Sequence, residues 1–452
     1  MPAVLRPSGR RRPRASRRHD RAARSVLPGT RSKPAASAPS AAAAGAASAC
    51  ALLVVGLVGG CSVGAGKPTA SRTPGDPAVR ALLARQSAAV LHHDRAAFLA
   101  GIDPHSAAFR ARQEKAFADL AKVPLASWSY TLVGTGAFRL PPAADGAART
   151  AAEIRLGYRL AGYDDQPVTS TAYLTLTRRG TRWYVSSDDD GADSGHRTDA
   201  QLWDFGPVRV VRGAHSIVLG LEGQTTLSGY ASDADQAVAQ VRHAWGTAGW
   251  PARVVVEAPA TLDQTAALLN AKASDYRDIA AVTTGEGGSD SEAPADRVVL
   301  NPAAFRELSA FGRQAVLTHE TTHVATREAT TAHTPLWLSE GIADWVAYRT
   351  SGRTAPEIAS ELAADVKAGH VPQALPTDAD FGPTAKGLAQ AYEGGWLACR
   401  MIADQWSPAT LTAFYRAVGK GGTVDARLRA ELGLDTARFT ARWRAYVEQE
   451  LG

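Results

Sequence analysis

An α+β fold is predicted for this chain of 452 residues: N-terminal helices and a curved antiparallel sheet, then a mainly helical second half carrying a small sheet. Three observations predict it. Apolar residues recur at helical spacing over 77–100 and 106–120. The period then falls to two across 127–133, 151–160, 168–178 and 182–186. Beyond 201, short apolar strands alternate with longer helical patterns, and helices dominate from 306 onward.

The first helical stretch is read from Val79, Leu82, Leu83, Ala89, Val90, Leu91, Phe98 and Leu99. Strand alternation shows in Ile154, Leu156, Tyr158 and Leu160, and again in Thr169, Thr171, Tyr173 and Thr175, with Arg179-Gly180 as a turn. Helices followed by such a sheet resemble the cone-shaped NTF2-like fold, a likeness of element order that implies a pocket, a dimer face or a positioning role. The expected organisation is a basic and apolar leader at 1–61, a linker at 62–76, this α+β domain at 77–200 and a second domain at 201–452. The acidic loop around Asp188, Asp189, Asp190 and Asp193 lacks EF-hand spacing.

The formal charge of +6 does not describe the body. Residues 1–33 hold eleven Arg or Lys and one acid; from Lys67 onward 39 basic residues face 43 acidic ones. A mildly acidic body gives no ground for nucleic acid binding. Residues 34–66 carry no charge, and an apolar run at 51–60 is followed by Cys61. Basic, then apolar, then small is the layout of an export signal, and Val58-Gly59-Gly60-Cys61 resembles a bacterial lipobox. That resemblance implies lipidation of Cys61 and a lipid anchor on the outer face of the cytoplasmic membrane. An uncleaved single N-terminal span or a cleaved soluble form are the alternatives, and all three place the body outside the cytoplasm. Two cysteines from Cys61 onward, Cys61 and Cys399, make no disulfide framework, and Cys399 reads as a buried inert thiol.

In the second half, strands are expected at 208–211, 215–219, 254–257, 279–283 and 297–300, with helices at 234–245 and 262–269. A helix over 306–327, broken near Gly312, carries His319-Glu320-Thr-Thr-His323. Positions i and i+4 share a helix face, so both imidazoles can reach one metal ion, and Glu320 sits where it can take a proton from a bound water. Glu340 follows His323 after sixteen residues, enough for a turn and a returning helix. Asp344, at i+4 from Glu340, can accept a hydrogen bond from the outer nitrogen of His319. A site of His319, His323, Glu340 and water suits one Zn2+ per chain. Tyr392, in Tyr392-Glu393-Gly394-Gly395-Trp396, can donate to an oxyanion, and Glu393 reads as a helix-start or surface acid. Val298, Val299, Leu300 and Asn301 are the candidate sheet edge to which an extended peptide adds.

His319 to His323 with Glu340 and Asp344 resembles the gluzincin metallopeptidases, which include the thermolysin group and the M1 aminopeptidases. Trp337-Leu-Ser-Glu340-Gly-Ile-Ala343 is similar to the M1 glutamate helix, and Tyr392 to Gly395 to the M1 segment whose tyrosine stabilises the oxyanion. The resemblance implies a peptidase MA-like domain in which His319, His323 and Glu340 bind zinc, Glu320 is the general base, Tyr392 stabilises the oxyanion and Asp344 supports a ligand. It implies hydrolysis of a peptide or protein substrate. The chain has no G-x-M-E-N segment, the amine-binding segment of the aminopeptidases. A second reading keeps the fold for binding alone; the intact Glu320 weighs against it.

Overall fold

The computed structural model describes residues 76–284, 296–382 and 385–452; Cys61 and the rest of the leader lie outside them. Helix α1 (Pro77–Leu91) starts where Asp76 accepts the Ala78 N–H at 2.8 Å and Pro77 needs no partner. The single helix expected over 77–100 is two. His93 turns left-handed at φ 54°, and Asp94 accepts the Ala97 N–H to start α2 (Arg95–Ala100). Helix α3 (Ala107–Asp119) follows. Strands β1 (Leu125–Thr135), β2 (Arg149–Leu160), β3 (Val168–Arg179) and β4 (Arg182–Ser187) form an open antiparallel meander in that order. Register shifts at Leu125/Ser127, Leu132/Gly134 and Thr175/Leu176 bend it. Gly180, at φ 57°, makes the tight β3–β4 turn. Arginines from α3 and β2 face the acidic loop: Arg112 pairs Asp188 and Asp189, and Arg149 pairs Asp190.

After the short α4 (Leu202–Phe205) come β5 (Arg209–Arg212), β6 (Ser216–Gly220), α5 (Gln224–Trp245), β7 (Val254–Ala258), α6 (Leu262–Leu268), β8 (Ala281–Thr283) and β9 (Val298–Leu300). Their sheet runs β5-β6-β7-β9-β8. The middle strands are parallel, and β5 and β8 pair antiparallel at its two ends. Side chains alternate faces, so this sheet feeds two cores. Ile217, Leu219 and Val255 join the α1–α3 and meander side chains. Val218, Val254, Val256, Val298 and Leu300 join the helical core on the other face. A buried ion pair crosses the same layer: Arg297 meets Asp164, from the loop after β2, at 2.8 and 2.7 Å.

The helical half comprises α7 (Pro302–Glu307), α8 (Ala310–Thr326), α9 (Leu336–Tyr348), α10 (Ala355–Ile358), α11 (Ser360–Lys367), α12 (Leu388–Gln405), α13 (Pro408–Gly419), α14 (Val424–Leu432) and α15 (Thr436–Leu451). The break expected near Gly312 lies at Leu308 and Ser309. The Ser309 hydroxyl accepts the Gly312 N–H at 3.1 Å and starts α8, which puts Gly312 inside its first turn. Among the described residues no helix is long and apolar enough to cross a membrane.

The substrate edge expected at Val298, Val299, Leu300 and Asn301 is not an edge. Strand β9 is bonded to β7 on one side and β8 on the other, and all three of its residues are buried. Asn301 is also spoken for: its Oδ1 accepts the Ala303 N–H, and its Nδ2 donates to the Tyr276 and Ile279 carbonyls. The sheet's free flank on this side, among the described residues, is β8. An unbroken Val-Val-Leu run belongs to a strand covered on both faces, whereas Ala281-Val-Thr283 is too short to declare itself.

Candidate metal centre

Helix α8 is an unpromising helix by propensity and a well-supported one by packing. Thr318 and Thr322 turn their hydroxyls back onto the Gln314 and Thr318 carbonyls at 2.8 and 2.7 Å. Residues 315–323 are buried throughout, between α5, α9 and β8. Burial on every side, and not an amphipathic stripe, holds this segment helical.

Helix α9 returns alongside and delivers Glu340 and Asp344. His319 Nε2 and His323 Nε2 stand 2.9 Å apart. Glu340 Oε2 lies 3.2 Å from the first and 3.5 Å from the second. These are the three residues whose ligand atoms converge within 4.8 Å of one another, and all are buried. A tetrahedral zinc with bonds near 2.0–2.1 Å sets its ligand atoms roughly 3.3 Å apart. The observed separations of 2.9, 3.2 and 3.5 Å bracket that spacing. Glu340 Oε2 is a buried oxygen with no hydrogen-bond partner, aimed at two imidazole nitrogens, which is the chemistry of a cation site.

Asp344 Oδ1 lies 2.8 Å from His319 Nδ1. A carboxylate there assigns the proton to Nδ1 and turns the Nε2 lone pair toward the cluster. The electrostatics agree. Burial opposes a charged His319, yet Asp344 and then Glu340 hold its pKa well above the ordinary imidazole value. Against the upward push of burial, His323 and His319 pull Glu340 down to about 2. Burial raises the Asp344 pKa, with His319 opposing. The pocket thus favours positive charge held among carboxylates.

Glu320, fully buried, accepts the Thr283 hydroxyl at Oε2 over 2.6 Å, while its Oε1 has no partner. Thr283 is a site residue that sequence reasoning missed. It sits 37 positions away at the end of β8, and no local pattern links the two. Tyr392 is buried in α12, its ring edge-on to Phe381 with centroids 5.1 Å apart. Glu393 is buried and not a surface acid: its carboxylate accepts the Glu361 and Leu362 N–H groups at 3.3 and 2.7 Å, so it caps α11. Burial and then Glu361 push its pKa up to about 9. His333 is exposed in the α8–α9 connection. Cys399 is buried, with its Sγ 3.9 Å from the Leu338 carbonyl, and burial raises its pKa well above the usual thiol value.

The two glycine-bearing segments meet where α9 crosses α12. A Cβ on Gly341 would lie 2.3 Å from the Gly395 carbonyl oxygen, and one on Gly395 would lie 2.7 Å from the Trp337 carbonyl oxygen. Backbone meets backbone there, so neither neighbour can yield. Gly341→Ala is expected to destabilise by about 1–3 kcal/mol through overpacking and to weaken zinc binding, because Glu340 is the adjacent residue. Gly229→Ala, in mid-α5 with open space around it, is expected instead to stabilise by up to ~1 kcal/mol. Thermal unfolding and metal titration of both variants check this; equal effects from both would refute the close crossing.

His319-Glu320-x-x-His323 with Glu340 after sixteen residues matches the H-E-x-x-H-(x)n-E catalytic motif of the gluzincin zinc peptidases. No family model and no curated protein matches the chain. Among solved structures, a two-domain M1 zinc metallopeptidase, a glutamate-to-alanine mutant bound to L-arginine, is similar at 15% identity and TM-score 0.31, covering 68% of this chain and 62% of that one. An M1 zinc metallopeptidase mutant from Deinococcus radiodurans matches at 14% identity and TM-score 0.32, covering 67% and 62%. Its form bound to a Tyr-Ser-Ala substrate matches at 13% and 0.31, covering 72% and 62%. The chain therefore spans 62% of the length of these structures.

Proposed function

We propose that this chain is a zinc-dependent peptidase of the cell envelope, held at the outer face of the cytoplasmic membrane through Cys61, with 77–200 as an NTF2-like domain and 201–452 as the catalytic domain. The observation that carries the enzymatic reading is the buried triangle of His319 Nε2, His323 Nε2 and Glu340 Oε2, sized for zinc. Bound there, zinc supplies a Lewis acid and lowers the pKa of a coordinated water. Glu320 takes the proton of the attacking water and delivers it to the leaving amine. The Thr283 hydroxyl, donating to one carboxylate oxygen of Glu320, leaves the unpartnered Oε1 as the proton-accepting atom. Asp344 keeps His319 in the tautomer that presents Nε2. Tyr392 donates its hydroxyl to the oxyanion that develops on the scissile carbonyl. An extended substrate adds to the free side of β8.

Metal analysis tests the ligand set. The wild-type chain is expected to hold one zinc, Glu340→Ala none, and Asp344→Asn one zinc bound about 10–100-fold more weakly. Retention of zinc by Glu340→Ala at wild-type affinity would reject the site. Turnover on a mixed peptide library then reads the activity: internal cleavage products support an endopeptidase, and stepwise loss from the amino end an aminopeptidase.

A further inference from the structure

Helices α1–α4 and one side of the first sheet line a half-open cavity of about 110 Å³. Its walls are aromatic and aliphatic. Phe98 and Phe117 stack at 4.9 Å, and Trp128 meets Trp203 at 5.5 Å, tilted by 53°. All four rings line the space. One end is polar, with Asp188, Asp199 and Asp204, and no Lys or Arg side chain lines the cavity among the described residues.

The three carboxylates are not equivalent. Asp188 is held by Arg112 and Gln113 at 2.9 and 3.1 Å. Asp199 accepts the Thr171 N–H and the Asn270 side-chain amide. Asp204 accepts the Gln201 N–H at 2.8 Å and has no cationic partner among the described residues. It is accessible to solvent, yet burial, with Asp188 adding to it, pushes its pKa up to about 6. Asp204 is one of the residues that line the cavity.

We infer that this cavity is a binding site for a small organic cation, with a branched apolar body seated among Phe98, Phe117, Trp128 and Trp203 and its ammonium group against Asp204. An uncompensated carboxylate beside indole faces attracts a cation by charge and by the ring quadrupoles together. The same carboxylate rejects fatty acids and other anions of equal size. The site is separate from the zinc ligands and does not depend on peptidase activity.

Calorimetric titration of the full chain with isoamylammonium, isoamyl alcohol and isovalerate tests the inference, because the three share one body and differ in charge. The ammonium is expected to bind about tenfold more tightly than the alcohol, and isovalerate not to bind. Asp204→Asn keeps a cap acceptor and is expected to bring the ammonium down to the affinity of the alcohol at an unchanged melting temperature. Ala116→Leu, which adds bulk to the wall, is expected to lose both. His323→Ala, which removes a zinc ligand, is expected to bind the ammonium as the wild type does. Equal binding of ammonium and alcohol, no binding of any probe, an unaltered affinity in Asp204→Asn, or loss of binding in His323→Ala would each overturn it.

Discussion

Glu320→Gln is expected to keep one zinc per chain and to lose roughly 10²–10⁴-fold in turnover. The amide has the shape of the carboxylate, and its oxygen can still accept the Thr283 hydroxyl that now bonds Glu320 Oε2 at 2.6 Å. The packing of a residue with no exposed surface is thereby preserved. What is lost is the ability to take a proton and return it. The ligands His319, His323 and Glu340 are untouched, so metal analysis and turnover must part company. A fully active Glu320→Gln chain would show that another group moves the proton. Loss of zinc together with activity would show that Glu320 builds the site instead of working in it.

The second large effect is expected far from the metal. Arg297→Ala should cost about 3–5 kcal/mol of stability, the usual result of removing one partner from a buried ion pair. The Arg297 side chain is 3% exposed and that of Asp164 1%. Their two parallel hydrogen bonds join the loop after β2 to the residue preceding β9. Glu257 Oε1 lies a further 3.7 Å from the Arg297 Nε and is also buried. Burial raises the Glu257 pKa, and Arg297 opposes that shift. Truncation would therefore strand two carboxylates among apolar side chains. Arg297→Lys keeps the charge without the fork and should fall between the two. Denaturant unfolding within ~1 kcal/mol of wild type for Arg297→Ala would show that water reaches these carboxylates and that the layer is less closed than its packing indicates.

Both predictions concern residues at which local pattern and long-range contact carry different shares of the information. The cluster of His319, His323 and Glu340 was legible because its spacing is itself the geometry. Positions four apart on a helix face one way, and sixteen residues suffice for a helix to turn and return. Asp344 was legible for the same reason, being one turn beyond Glu340. The meander was legible in its alternation and in Gly180, whose left-handed backbone marks a turn that few other residues make.

Elsewhere local pattern misled. Helix α5 begins at Gln224, ten residues before the expected start, because Thr, Ser and Gly fill its first turns while Leu227, Tyr230 and Ala231 bury its inner face. Helices α10 and α11 are absent from the elements expected above, although α10 opens on a Thr354 to Glu357 capping box with Pro356 in its first turn. The start of α11 is capped by the carboxylate of Glu393, more than thirty residues away.

By itself the sequence determined which segments form helices and strands wherever their apolar period was strong, and which side chains can meet across one helical turn. Both depend on neighbours along the chain, and the backbone repeat converts spacing into direction. Only the tertiary structure decided that, among the described residues, β8 and not β9 is the free side of the sheet, that Thr283 holds Glu320, that Gly341 and Gly395 let two helices touch backbone to backbone, and that Arg297 ties the two cores together. Each of these joins residues tens to more than a hundred positions apart. Their pairing follows from how whole faces pack and exclude water, a property that no short window of sequence contains.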